Sequence, residues 1–72
     1  MNEEKKFRLN LELTPAAKER LDKVQKATES PSIVETIRRA LALYELILQR
    51  RAQGSKLIFR EPTGAEREIE LL

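Results

Sequence analysis

The sequence predicts a mainly α fold with short β segments, ordered β-α-α, completed as a homodimer and extended by a C-terminal β-hairpin. Three observations predict it. From Phe7 to Leu13 the chain reads Phe-Arg-Leu-Asn-Leu-Glu-Leu, the apolar/polar alternation of a half-buried strand. Two helical patterns follow at once, with no second strand nearby to pair with it. The chain has 72 residues with no Cys and no His. A domain this small lacks a comfortable core of its own, and disulfide or zinc staples are excluded, so oligomerisation remains as the source of extra core.

The apolar side of the first segment, Phe7, Leu9, Leu11 and Leu13, requires a core, and its unpaired backbone requires another strand. The same segment of a second copy satisfies both, as an antiparallel two-stranded ribbon across a twofold axis. Such a ribbon displays Arg8, Asn10 and Glu12 outward.

Thr14-Pro15 starts the first helix. Threonine supplies an N-cap oxygen, and proline at the first helical position lacks only an N–H that has no helical partner. Ala17, Leu21, Val24 and Thr28 then form one narrow apolar face, while Lys18, Glu19, Asp22, Lys23 and Lys26 make a solvated one. Pro31 disfavours helix at the residue before it, so this helix is expected to end near Ala27 or Thr28.

Ser32-Ile-Val-Glu35 has the form of a capping box and starts the second helix. Its apolar stripe, Ile33, Val34, Ile37, Ala40, Leu41, Tyr44, Ile47 and Leu48, runs to about Arg51, giving a helix of about 30 Å. Leu43 and Leu46 lie outside that stripe, so the second half needs cover on more than one side. The twofold mate is one cover and the tail the other. Arg38 and Arg39 are expected in solvent or paired with Glu35 or Glu45.

Beyond Gln53-Gly54-Ser55, two strand-like runs flank Pro62-Thr63-Gly64. They predict a hairpin with a type I turn and a left-handed Gly64. Leu57, Phe59, Ile69 and Leu71 form its expected buried face, packed on the second half of helix two. Glu66, Glu68 and Glu70 face solvent, with Arg60 as a cross-strand partner. The chain thus divides into residues 1–53, for dimerisation and binding, and 54–72, the hairpin extension.

Composition narrows the function. Without histidine or cysteine, the familiar nucleophilic triads are absent; the alternating glutamates of the tail read as a half-buried strand, and no enzyme or cofactor is expected. The charged N-terminus lacks the apolar core of a signal peptide, and no segment has the length of a membrane span, so a soluble cytoplasmic protein with no membrane partner is expected. Through Ser55 there are eleven basic and eight acidic residues. A dimer accordingly carries a modest positive charge on that part, which favours a polyanion.

The order of strand, Thr-Pro helix, short loop and Ser-capped helix resembles the ribbon-helix-helix DNA-binding proteins, the superfamily of the Arc and methionine repressors. The resemblance covers about Phe7 to Gln49. It is strongest in Arg8-Leu-Asn-Leu-Glu-Leu-Thr14 and in Ser32-Ile-Val-Glu-Thr-Ile-Arg-Arg-Ala-Leu-Ala-Leu-Tyr44. It implies a ribbon lying in the major groove of double-stranded DNA, where Arg8, Asn10 and Glu12 contact bases, and a four-helix dimer core. Arginine suits guanine, asparagine adenine, and a carboxylate the cytosine amino group. It also implies a phosphate site at the start of helix two, Ser32, Ile33 and Val34, assisted by Lys6. The dimer core would comprise Phe7, Leu9, Leu11, Leu21, Val34, Ile37, Leu41, Tyr44 and Leu48.

Glu12 departs from the basic or neutral residue expected opposite DNA. A dyad near Asn10 sets it across the ribbon from Arg8 of the other strand, where the two can pair. The implied function is a dimeric transcriptional regulator, a repressor, with further dimers side by side on repeated sites. Two other readings stand beside it. One is an antitoxin-type protein whose C-terminal part binds a protein partner; the other is a purely structural dimer.

Overall fold

The computed structural model describes residues 6–70. In chain order it contains helix α1 (Pro15–Thr28), helix α2 (Ile33–Ala52), strand β1 (Ile58–Arg60) and strand β2 (Glu66–Glu68). The fold is mainly helical with one two-stranded antiparallel sheet.

Helix α1 begins where its cap chemistry places it. Thr14 Oγ1 accepts the Ala17 N–H at 3.1 Å and the Thr14 carbonyl accepts the Lys18 N–H at 2.9 Å. Its end has a cause beyond Pro31. Glu29 adopts the left-handed conformation (φ 53°, ψ 35°), its N–H reaches the Lys26 carbonyl at 3.2 Å, and the Ser30 N–H reaches the Gln25 carbonyl at 3.1 Å. These two bonds form a Schellman stop around a residue with a Cβ, where glycine is usual. Along α1, Ala17, Leu21 and Gln25 are half-buried, whereas Val24 and Thr28 are exposed. Thr28 leaves the expected apolar face because its hydroxyl donates to the Val24 carbonyl at 2.8 Å, turning back onto its own helix.

Helix α2 is capped by Ser32, whose hydroxyl accepts the Glu35 N–H at 3.1 Å. The expected capping box is only half formed. The Glu35 carboxylate takes Arg38 through one oxygen and Arg39 Nε at 3.1 Å through the other, because two cations outcompete one backbone N–H. At the far end Gly54 (φ 93°) closes a second Schellman motif, with Gly54 N–H to Arg51 carbonyl and Ser55 N–H to Arg50 carbonyl, both at 2.9 Å.

The hairpin pairs Ile58 with Glu68, Phe59 with Arg67 and Arg60 with Glu66. The Gly64 N–H returns to the Glu61 carbonyl at 2.8 Å, and Gly64 has φ 95°, as the turn residues predict. Arg60 meets Glu66 at 2.8 Å, the expected cross-strand pair. Ile69 donates to the Leu57 carbonyl at 2.8 Å, and both side chains are half-buried. Leu71, the fourth residue of the expected buried face, lies outside the described residues.

Two expectations for the hairpin need correction. Phe59 remains 57% exposed, and no Cα of either strand comes within 8 Å of a helix Cα. A cleft of about 440 Å³ lies open between the hairpin and α2, so the expected packing is incomplete. Within one chain, no hydrophobic residue among those described is fully buried. The chain exposes 7159 Å², where a compact protein of its mass exposes roughly 4,600 Å². Its radius of gyration is 15.9 Å, against about 11 Å for a compact chain of this length. No helix among the described residues is long and apolar enough to cross a membrane.

Candidate nucleic-acid interface

Residues 6–14 take no regular secondary structure in the single chain, because a strand exists only by pairing and the sheet joins β1 to β2 alone. Lys6, Arg8, Asn10 and Glu12 are exposed on this segment. Leu9 and Leu11, on the alternate positions, are 79% and 61% exposed. An apolar row left so open marks a candidate interaction surface.

The second element is the start of α2. Ser32 has extended backbone (φ −156°, ψ 162°) and its oxygen caps Glu35. The N–H groups of Ile33 and Val34 have no acceptor among the described residues, and Val34 is 65% exposed. Two outward N–H groups at the positive end of a 20-residue helix attract an anion. Arg38 and Arg39 neutralise Glu35, which otherwise would repel a phosphate from this turn.

What positions that turn was not foreseen in the sequence. Ser30 and Thr36, 8% and 3% exposed, are the only buried residues among those described. Their hydroxyl oxygens lie 2.6 Å apart, and each is 3.0 Å from the Ser32 carbonyl. The same carbonyl accepts the Thr36 N–H at 3.0 Å. This node locks the α1–α2 connection onto the first turn of α2. A threonine four residues past a serine cap was the available signal, since its hydroxyl returns to the cap carbonyl.

No family model, no curated protein and no solved structure matches the chain.

The expected contact residues accordingly stand on their own geometry. Arg8, Asn10 and Glu12 share one parity of an exposed segment that runs directly into the Thr14 cap. Ser32, Ile33 and Val34 share one helix terminus. Of the residues expected in a dimer core, Leu21 and Ile37 are half-buried within the chain, whereas Leu41, Tyr44 and Leu48 are 62%, 40% and 44% exposed. Their outer surfaces are open to a second subunit.

Proposed function

We infer that this chain acts as a homodimeric, sequence-specific binder of double-stranded DNA, a transcriptional repressor of ribbon-helix-helix type. The observation that carries the reading is the combination of an alternating N-terminal segment, apolar on one parity and Arg-Asn-Glu on the other, with the lack of any buried hydrophobic residue among those described. Pairing two such segments about a dyad near Asn10 buries Phe7, Leu9, Leu11 and Leu13 against α2 of both subunits. It leaves Arg8, Asn10 and Glu12 on a ribbon of a width that the major groove admits.

The excess exposed area of the single chain agrees in scale with an obligate dimer, whose interfaces remove roughly 1,000–2,500 Å² from each subunit. Ser32, Ile33 and Val34, with Lys6, would then hold phosphates on either side and set register.

Mobility shift and salt titration test this. Selected duplexes should be bound with log Kd rising steeply with log salt, and Arg8→Ala should weaken the best site by about 1–3 kcal/mol while reducing discrimination at one base pair. A monomer in sedimentation, or equal affinity for all duplexes before and after Arg8→Ala, would refute it.

A further inference from the structure

The stretch of α2 facing the hairpin is far from the surface assigned to DNA. Leu43, Leu46 and Ile47 form one wall of the cleft, and Leu57 and Phe59 form the other. Leu43, Leu46 and Phe59 are 58%, 47% and 57% exposed, so the cleft is an open groove rather than an enclosed pocket. Arg50, Arg51 and Lys56 line the same cleft, and no acidic residue among those described lines it. Glu68 approaches Lys56 only at 3.7 Å, with half its side chain in solvent.

We propose that this groove docks an acidic amphipathic segment of a protein partner, apolar side inward and carboxylates toward Arg50 and Lys56. Charge selects this occupant. A groove with leucine walls and cations at its rim favours an apolar segment edged with Asp or Glu and rejects one edged with Lys. A second copy of the chain is the poorer match, because twofold pairing of this face brings two basic rims together. DNA is excluded by position: residues 43–50 lie roughly 17–27 Å along the helix axis from Ser32. The opening suits the insertion of a few leucine-sized side chains from a helix lying in it. Because α2 carries the groove on a side other than that of Leu41, Tyr44 and Leu48, a dimer can bind DNA and this partner together.

Two labelled peptides test the proposal on the full chain by fluorescence anisotropy. One is Leu-Glu-Glu-Leu-Leu-Glu-Glu repeated twice; the other replaces every Glu by Lys. The Glu peptide should bind saturably and at least about tenfold more tightly, a difference of about 1.4 kcal/mol. Leu46→Asp and Arg50→Glu should each weaken it about tenfold or more, with circular dichroism and operator affinity unchanged. Equal binding of the two peptides, or undiminished binding to both variants, overturns the proposal. A change in sedimentation on Leu46→Asp also overturns it, since a second copy would then be the occupant. Loss of DNA binding with the Glu peptide still bound would remove the regulator reading and keep this one.

Discussion

Thr36→Val tests whether the hydroxyl node at the α1–α2 connection holds the molecule's local order. The substitution keeps the branched shape and removes one hydroxyl. Three contacts close the triangle of Ser30 Oγ, Thr36 Oγ1 and the Ser32 carbonyl, at 2.6, 3.0 and 3.0 Å. Each hydroxyl has one proton, so only two of the three are hydrogen bonds at any instant. Removing Thr36 Oγ1 takes away one proton and hence one bond. It leaves the Ser32 carbonyl satisfied by Ser30 Oγ and by the Thr36 N–H. Nothing buried is orphaned, and the cost is that of one net hydrogen bond, about 1 kcal/mol.

For a domain of this size that is a fall in melting temperature of roughly 4–8 °C, measured at fixed chain concentration because the proposed dimerisation would contribute to the midpoint. Thr36→Ser, which keeps the proton, should lose less. In a double-mutant cycle with Ser30→Ala, the two losses should be coupled by about 0.5 kcal/mol or more. An unchanged midpoint for Thr36→Val, or strictly additive losses, would refute the node as a cooperative unit.

The remaining predictions concern single residues. Glu29→Gly should stabilise the protein by about 0.5–1 kcal/mol in urea unfolding, since glycine enters the left-handed stop without the Cβ penalty; a loss of stability would contradict the Schellman assignment. Ser32→Ala should cost about 1 kcal/mol through the lost cap, whereas Glu35→Gln should cost much less, because its carboxylate serves surface arginines and not the Ser32 N–H. Equal costs would restore the full capping box. Glu12→Gln should leave dimer stability nearly unchanged while shifting base preference in a binding-site selection; unchanged preference would place Glu12 off the bases.

Much of the secondary structure was legible because its signals are local. The Thr14-Pro15 start, the Ser32 cap and the Pro62-Thr63-Gly64 turn each depend on residues within one turn of one another, and all three occur where those residues require. The Arg60–Glu66 pair followed from the turn, which sets the strand register. Less legible were features where a side chain had a choice of partners. Glu35 had a backbone N–H and two guanidiniums within reach and took the cations. Thr28 looked apolar by spacing, yet its hydroxyl found the Val24 carbonyl. For the candidate interface, alternation placed Arg8, Asn10 and Glu12 on the outward parity, and the family resemblance implied their role and that of Ser32, Ile33 and Val34. The contacts proposed for them are with other molecules, which neither the sequence nor a single chain displays.

By itself, the amino-acid order determined where each helix starts, which faces are apolar and that one chain cannot bury them all, because capping and periodicity act over a few residues. Only the tertiary structure decided that Ser30 and Thr36 meet at a shared carbonyl, that Glu29 makes the stop, and that a groove lies open between the hairpin and α2. Those outcomes depend on the relative placement of separate elements. That placement is set by competition among contacts of nearly equal energy, which no local pattern ranks.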